Sequence, residues 1–566
     1  MPVSLLMKPI FALLAFQALA AAAPTLYVNG KIVTLDAQEH IAEAMAVEDG
    51  KIIAVGTNDE IKQLGGSSVD LGGKMVLPGL IETHCHSIGA ARASFAGEYQ
   101  ELYDIPGIQA WIKAKAAKQA PGTWIEVPRN EITRIKERRF PTPEELDAAT
   151  TQHPVLFVSV TKSVLNNAGW KLLGVVDENS KVAGGEVVFE NGRPVLMRGG
   201  QAPLRALMPQ PPTPSEEQLR AKLKELHGIY NSVGITSIFE RATDRAGFDL
   251  FRDLSAKKEL TTRMRGTFRF SAKDAAGVEG YVKKLGLQSG EGDDMVRATC
   301  LKITVDGGIH WGTTWLSEPH GEKRAAFYRN DDPYYEGTHS YTPEQMREIF
   351  GTANKLGWPI SAHVTGDGGA MAVLRSVEAV SQQQPSMIDH RFNLIHCYFP
   401  SDEMTALAKK LNVGVDTQSY LYFRDADFIA KIYGPSWAER FLGLGSWVKA
   451  GVPVAINSDH MIGFDPDHCM NSFNPFLMLY IAISRKDDQG NIHGAHQKLS
   501  RLDALRAITT WAAWLSFDEK KLGSLEKGKL ADFVVIDRDY LTCAEDEIKA
   551  IKPVRTVLGG RTVFRR

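Results

Sequence analysis

Two histidines separated by one residue follow an apolar run near the start of the chain. His84 and His86 lie in the text LPGLIETHCHS, whose apolar part is typical of a buried strand. Side chains alternate along a strand, so both imidazoles would face one side, about 7 Å apart along the chain. Two imidazoles placed in this way can share one metal ion. A lone HxH pair, however, is more often two polar residues at a strand end.

Later β-rich runs carry further residues that suit a metal centre. They are Lys302, His363, His396 and Asp459. Lys302 lies in LKITVDGG among apolar residues, where a lone amine is unfavourable unless it is paired or modified. Carbamylation by CO2 would turn this amine into a carboxylate that can bridge two metal ions. The ordered placement of these residues predicts a metal site rather than scattered core histidines.

The elements that position these residues are eight apolar, β-rich runs separated by helical patterns. TPEQMREIFGTANKLG (342–357) and SDEMTALAKKLN (401–412) are examples of the helical stretches. Near-continuous apolar strands with crossover helices indicate parallel pairing. We therefore predict an α/β fold, a (β/α)8 TIM barrel with its functional residues at the C-terminal ends of the strands. The predicted strands are 75–87, 234–242, 263–270, 301–308, 359–368, 392–399, 412–419 and 452–460.

Two parts of the chain lie outside this barrel pattern. Short β-branched runs broken by Asn-Gly and Asp-Gly near the N-terminus resemble the last forty residues, which predicts a small β-sandwich from residues 24–75 and 525–566. About 145 residues separate the first two barrel strands, far more than a normal βα connection. We expect residues 95–230 to form an inserted cap subdomain, and 76–94 with 231–524 to form the barrel.

Composition excludes some functions. The 566 residues include 65 basic and 67 acidic side chains, a formal charge of −2, which does not support a nucleic-acid partner. Residues 1–22 combine one lysine, a short apolar run and an Ala-Leu-Ala site, which predicts a cleaved signal peptide and a secreted or periplasmic protein. No second run of membrane length occurs, so we expect no integral membrane segment in the mature chain. The five cysteines are interpreted mainly as free thiols.

The chain resembles the amidohydrolase-3 (YtcJ-like) branch of the amidohydrolase superfamily, which includes N-substituted formamide deformylase. The order of six residues along the strands carries this resemblance. We call them the metal-type residues; they are His84, His86, Lys302, His363, His396 and Asp459. It extends over residues 25–566. The matching texts are LPGLIETHCHS, VDGG, HVTGDGGAMAVL, DHRFNLIHC, INSDH, NPF and GSLEKGKLADFVVIDRD.

The resemblance implies a role for each metal-type residue. His84 and His86 would bind the more buried metal, and His363 and His396 the second. Carbamylated Lys302 would bridge the two metals, and Asp459 would be a metal ligand and the acid/base beside a metal-activated hydroxide. Histidine and carboxylate ligands suit two Zn²⁺ ions, with iron or manganese as alternatives. Members of the family are often dimers, which leaves a homodimer open.

Departures from the family pattern bear on substrate binding. Thr161 stands where relatives often have a histidine, and Glu240 stands where they often have Asp. The residues after Asp459 are His460-Met461 rather than Ala-Pro. Arg391 is interpreted as a structural ion-pair member. The candidate substrate contacts are His310, Trp311, Tyr420, Tyr422 and His460.

These features together predict a hydrolase that cleaves an amide-type C–N bond in an N-acyl or N-formyl small molecule. A lactone or cyclic-imide hydrolase and a heterocycle deaminase would use the same site. Deaminases more often use one metal and lack the bridging lysine, so Lys302 favours the hydrolase. A non-catalytic metal- or ligand-binding barrel is the alternative of another class.

Overall fold

The computed structural model describes residues 23–199, 201–210 and 212–566. The predicted signal peptide, residues 1–22, lies outside this part of the chain. None of the helices in the described ranges combines the length and apolar character that a membrane crossing requires. All five cysteines fall within these ranges and are free thiols.

Eight parallel strands form the predicted barrel, and we number them β1 to β8 in chain order. Each strand pairs with the next one along the chain, from β1 to β8. The amide of His86 donates to the carbonyl oxygen of His460 at 2.8 Å, and this contact brings β8 back to β1. The predicted barrel fold is therefore confirmed. The strands are Leu80–Cys85, Ile235–Thr243, Arg263–Arg269, Val296–Thr304, Ile360–Val364, Asn393–His396, Gly414–Gln418 and Val454–Asn457.

The first predicted strand, 75–87, is two strands in the structure. Met75–Pro78 belongs to a different sheet, and β1 begins at Leu80. The break falls at Gly79, where a β-carbon would collide with the side chain of Thr236. An apolar run by itself does not reveal such a change of sheet, because both strands are fully buried.

Helices follow the barrel strands and cover the outside of the sheet. The helix Pro343–Lys355 shows how the sequence starts them: Thr342 accepts from the amide of Gln345, the Gln345 side chain caps Thr342 in return, and proline occupies the first turn. The helices of the barrel region are Ser87–Ala93, Glu216–Ser232, Arg245–Ala256, Ala275–Leu285, Gly321–Tyr328, Pro343–Lys355, Asp367–Gln383, Asp402–Lys410, Ser419–Ile432, Pro435–Arg440, Leu444–Lys449, Pro475–Ser484, Arg501–Ala507 and Thr510–Leu515.

Two sheets lie beside the barrel, one built from N-terminal strands alone and the other from strands of both chain ends. Their shared core includes Tyr27 and Val47 from the N-terminal part and Phe533 and Val557 from the C-terminal part. Phe533 pairs with Pro78, so the last strands complete a sheet begun by the first ones. The four-stranded sheet contains Lys51–Gly56, Ala44–Glu48, Thr25–Val28 and Ser67–Asp70, and the six-stranded sheet contains Arg561–Arg565, Pro553–Leu558, Phe533–Ile536, Met75–Pro78, Lys31–Val33 and Ile41–Ala42.

The segment between β1 and β2 has its own sheet and its own apolar core, which includes Ile108, Val155 and Val164. The helix Glu216–Ser232 crosses the predicted boundary at 230 and packs on the helix Ser87–Ala93, because its apolar face joins the barrel core. The strands of the segment are Gly185–Glu190, Arg193–Gly199, Lys162–Leu165, Val155–Val158 and Ile125–Glu126, and its helices are Ile105–Ala116, Pro143–Asp147, Asn167–Leu172 and Gln201–Leu207. The exact limits of the sandwich, barrel and cap stay a prediction.

Candidate metal centre

The six residues singled out as metal-type in the sequence come together at one end of the barrel. Because the strands are parallel and the sheet curves back on itself, the ends of distant strands meet. His84 lies near the end of β1, and His86 follows that strand. Lys302 lies on β4, and His363 and His396 lie at the ends of β5 and β6. Asp459 lies two residues beyond β8.

His84, His86 and Asp459 form one group of converging atoms. The Nε2 atom of each histidine lies 3.3 Å from Oδ1 of Asp459. One ligand atom of each residue lies within 4.8 Å of the other two. The side chain of His84 is 1% exposed and that of His86 is 24% exposed, so the group is reached from the His86 side. Oδ1 of Asp459 is buried without a hydrogen bond of good geometry.

His363 and His396 form a second group beside the first. Nδ1 of His363 lies 2.7 Å from Nε2 of His396. The other ring nitrogens face acceptors: Nε2 of His363 lies 2.9 Å from the carbonyl oxygen of Gly307, and Nδ1 of His396 lies 2.6 Å from Oε1 of Gln418. Each neutral ring therefore places its single proton on the outer nitrogen, and two lone pairs face each other. A shared proton or a cation resolves that repulsion.

Lys302 lies beside the first group, against His84. Its Nζ atom is 3.2 Å from Nε2 of His84, and the residue is 4% exposed. Burial lowers the pKa of Lys302 to about 8, against the opposing effect of the Asp459 carboxylate. The charge of Lys302 also acts on His363 and His396.

Burial keeps the inner histidines neutral. It holds the pKa of His84 and of His363 well below the ordinary value and lowers that of His396 to about 4, with the neighbouring positive groups acting in the same direction. Burial opposes ionisation of Asp459, but its contact with His86 and the positive groups around it outweigh this effect and lower its pKa. The site thus offers neutral imidazoles and a carboxylate, the donor set that zinc prefers.

The donors therefore fit a metal ion. The unbonded Asp459 oxygen and the facing lone pairs of His363 and His396 are the observations that support this. The outer bonds of the two histidines to Gly307 and Gln418 are the kind of contact that orients metal-binding imidazoles.

The backbone at the strand ends is held in unusual conformations. Asp459 has a φ of 54° and His396 a φ of 77°, in the left-handed region that costs a non-glycine residue about 1–2 kcal/mol. Glu82, buried in β1, accepts from the amide and hydroxyl of Ser458, which precedes Asp459. Asp306 accepts from the amides of Thr365 and Gly366, and so fixes the loop after β5. Such strain persists only where surrounding contacts impose it.

The predicted substrate contacts occupy three different environments. His310 and Trp311 form the short 3-10 turn after β4, and their ring N–H groups face Asp425 at 3.0 Å and Glu131 at 3.2 Å. Tyr420 is buried, with the Arg134 guanidinium 5.9 Å from its ring centre.

The hydroxyl of Tyr422 and the ring nitrogens of His460 make hydrogen-bond contacts with groups outside the metal-type cluster. Tyr422 donates to the carbonyl oxygen of Arg485 at 2.7 Å within packed helices. His460 is fully buried behind the site, and its ring nitrogens lie at hydrogen-bond distance from Tyr230 and Gly463. The structure therefore does not bring Tyr422 or the His460 ring to the metal-type cluster.

The departures from the family pattern have identifiable places. Glu240 on β2 is buried and accepts from the amide of Ser87 at 2.9 Å, so it holds the chain just after His86. Arg391 pairs with Glu519 at 2.7 Å, which confirms its structural interpretation. Thr161 lies between two strands of the inserted segment, Val155–Val158 and Lys162–Leu165.

The residues that join the inserted segment to the mouth of the barrel were not predicted from the sequence. Asp425, on the helix after β7, is fully buried and binds Arg134 and Thr133 of the insertion, each at 3.0 Å. Glu131 of the same segment accepts from Trp311. The sequence offers only a weak signal for this contact, the charged text of residues 129–139, which is equally typical of a solvated loop.

Known proteins resemble this chain over most of its length. A family model described as amidohydrolase family matches residues 68–564. N-substituted formamide deformylase of Arthrobacter pascens is 24% identical over 559 residues, which cover 95% of this chain and 98% of that protein. Putative amidohydrolase YtcJ of Bacillus subtilis (strain 168) is 22% identical over 559 residues, which cover 95% of this chain and 99% of that protein.

Solved structures share the fold. An uncharacterized metal-dependent hydrolase from Pyrococcus horikoshii OT3 has a TM-score of 0.66 and 19% identity, covering 92% of this chain and 99% of that one. A corresponding hydrolase from Pyrococcus furiosus has a TM-score of 0.64 and 18% identity, covering 92% of this chain and 100% of that one. The family match extends over most of the chain and includes every metal-type residue described above. The protein is therefore a hydrolase that belongs to the amidohydrolase family.

Proposed function

We propose that this protein hydrolyses an amide-type C–N bond in a small N-acyl or N-formyl compound, with a divalent metal centre and Asp459 as acid/base. The observation that carries the proposal is the convergence of His84 and His86 on Asp459. Lys302 contacts His84, and the ring centre of His396 lies 5.4 Å from that of His84. The similarity to N-substituted formamide deformylase supports the choice of bond.

Each residue of the site has a proposed part in holding metal. His84 and His86 would hold one ion, and His363 and His396 the other, with Asp459 as a further ligand. Lys302, as a carbamate, would bridge them, and its Nζ atom lies 3.2 Å from Nε2 of His84. Zn²⁺ fits these donors, and iron or manganese is the alternative. When bound, such ions polarise a carbonyl group and lower the pKa of water to about 7.

Asp459 would move the proton. Its lowered pKa keeps it ionised at neutral pH, so it can take a proton from the attacking water and deliver it to the leaving nitrogen. The left-handed backbone at Asp459 aims the carboxylate at His84 and His86 rather than along the strand. Proton delivery matters for this bond because an amine anion is a poor leaving group.

The inserted segment, 95–230, would close the mouth over the substrate. Its residues Glu131 and Arg134 contact the turn after β4 and the helix after β7, so the segment reaches across two active-end elements. We propose His310, Trp311 and Tyr420 as the walls of the pocket. Tyr422 and the ring of His460 are not part of this proposal, because both side chains are fully buried, whereas His310 and Trp311 are partly exposed.

Elemental analysis of protein purified with bicarbonate tests the metal centre. We expect about two metal ions per chain in the natural protein, falling to one or none in Lys302→Ala. Lys162→Ala is the matched control, since Lys162 is also buried and burial also lowers its pKa to about 8, but it lies in the insertion. Equal metal content in all three proteins would make Lys302 a structural residue.

A substrate panel tests the chemistry. N-formyl and N-acyl amines should turn over, whereas a lactone, a cyclic imide and an amino-heterocycle should be slow. Turnover of the lactone with inert amides would replace our substrate class, and release of ammonia from the heterocycle would indicate a deaminase. Metal binding without turnover of any compound would favour a non-catalytic barrel.

A further inference from the structure

His460 follows Asp459 directly, and its ring is fixed in one orientation. Nε2 lies 2.7 Å from the carbonyl oxygen of Gly463, and Nδ1 lies 2.8 Å from the hydroxyl of Tyr230. A carbonyl oxygen only accepts, so Nε2 carries the proton and Nδ1 is the acceptor. Tyr230 therefore donates to Nδ1. Both side chains are fully buried, where an unmade hydrogen bond is unfavourable.

The Gly463 contact depends on glycine. Gly463 has a φ of 97°, and a β-carbon there would meet Cβ of Cys469 at 2.7 Å. Only a residue without a side chain can adopt this conformation at so close an approach. The turn after Asp459 is thus shaped to present a carbonyl oxygen to the His460 ring.

The backbone of His460 is held as firmly as its ring. Its amide donates to the hydroxyl of Ser458 at 3.0 Å, and its carbonyl oxygen accepts from the amide of His86 at 2.8 Å. Asp459, between Ser458 and His460, has its own carbonyl oxygen bonded to the side chain of Asn471 at 3.1 Å. Asp459 is therefore the left-handed residue of a turn that is anchored on both sides.

We propose that Tyr230 and His460 act as a positioning pair that holds Asp459 in its left-handed conformation, with its carboxylate beside His84 and His86. This inference rests on the proposed role of Asp459 in metal binding and proton transfer. Neither residue of the pair touches the reacting atoms; they act through the backbone on which Asp459 stands. Tyr230 belongs to the helix Glu216–Ser232, so the pair connects the turn after β8 to a helix that covers the outside of the barrel sheet.

Removing one hydroxyl tests the pair with little change in packing. In Tyr230→Phe, Nδ1 of His460 loses its donor, and we expect the turn to relax away from its strained conformation. The matched control is Tyr540→Phe, because Tyr540 is equally buried and its hydroxyl donates to the carbonyl oxygen of Arg501 at 2.7 Å, away from the site. The measurements are the Zn²⁺ dissociation constant by chelator competition, and kcat and KM on a responsive amide.

We expect Tyr230→Phe to weaken zinc binding or lower kcat by about 10–100-fold, the range seen when partners of metal-binding residues are removed, with KM nearly unchanged. Tyr540→Phe should leave both quantities as they are. If the two variants behave alike in both measurements, the positioning pair is refuted. Should the natural protein bind zinc but hydrolyse no amide, the proposed function fails separately and the zinc comparison alone decides the pair.

A double-mutant cycle distinguishes positioning from a general structural role. In an Asp459→Asn background, Tyr230→Phe should reduce the remaining kcat by less than about threefold, because the residue through which it acts has already been disabled. A full additional loss in that background would show that Tyr230 acts independently of Asp459, and would overturn the inference. If Tyr230→Phe folds poorly, His460→Asn provides the same comparison from the other side of the bond.

Discussion

At the scale of single residues, the chemistry of the site follows from which atoms are already bonded. The carbonyl oxygen of Gly307 and the side-chain oxygen of Gln418 take the outer protons of His363 and His396 and leave their inner lone pairs free. Oδ1 of Asp459 likewise faces His84 and His86 without a hydrogen bond of its own. These contacts determine that the cluster is a set of electron-pair donors rather than a network of mutual hydrogen bonds.

The first prediction belongs to Asp459. Asp459→Asn keeps the size of the side chain but cannot accept and return a proton, so we expect kcat to fall by about 10²–10⁴-fold. Metal content after loading with excess metal should stay near that of the natural protein, because the histidines remain. Steady-state kinetics with elemental analysis on the same preparation measure both. Natural kcat in this variant would show that another group is the base.

At the scale of elements, Asp425 joins three parts of the chain. From the helix Ser419–Ile432 it binds Arg134 and Thr133 of the insertion and His310 of the turn after β4. Burial opposes its ionisation, but Arg134 and His310 outweigh burial and hold its pKa well below the usual range. A buried carboxylate with three partners is therefore what attaches the insertion to the active end of the barrel.

Removing this charge should loosen the insertion. We expect Asp425→Asn to destabilise the protein by about 3–5 kcal/mol at pH 7, since Arg134 is left buried without its counter-ion. The folded pKa is lowered, so this stabilisation is fully present above the ordinary pKa of about 4 and is lost as the pH falls below it. Melting temperatures of the two proteins should therefore converge in acid.

The control for this prediction is an exposed ion pair. Arg375 and Glu403 lie 2.8 Å apart with both side chains about two-thirds exposed, so Glu403→Gln should change stability by less than about 1 kcal/mol. A variant of Asp425 that melts like Glu403→Gln at pH 7 would contradict the proposed attachment. KM should also rise in Asp425→Asn if the insertion closes the pocket.

At the scale of the whole molecule, a buried ion pair connects the barrel to the six-stranded sheet built from both chain ends. Nε and Nη2 of Arg263, on β3, lie 2.6 and 2.8 Å from the two carboxylate oxygens of Asp532. Both residues are almost fully buried, and Asp532 also accepts from the amide of Gly559. This bidentate contact holds the sheet at the N-terminal end of β3. That end of the barrel lies opposite the site.

Breaking this pair should affect stability but not catalysis. We expect Asp532→Asn to lower the free energy of unfolding by about 3–5 kcal/mol, because a buried guanidinium loses its partner. Denaturant unfolding measures this change, and kcat and KM on the folded protein should match those of the natural chain. A large fall in the kcat of fully folded Asp532→Asn would show that the sheets influence the site.

The barrel was predictable from the sequence, and so was the choice of the six metal-type residues as candidates. Eight apolar runs and the alternation in His84-Cys85-His86 are local patterns, and local patterns report strands and the faces of strands. The departure at Glu240 and the candidate ion-pair residue Arg391 were also visible as single residues, although the partner of each was not.

Tertiary structure alone decided which side chains meet. Tyr230 and His460 are 230 positions apart, and Arg134 and Asp425 are 291 apart, so no spacing in the text relates them. The same limit explains why His460 and Tyr422 were predicted as substrate contacts but have their polar atoms bonded elsewhere. A local pattern indicates that a residue is polar and near a strand end. The orientation of its side chain depends on partners that only the closed barrel brings within hydrogen-bond distance.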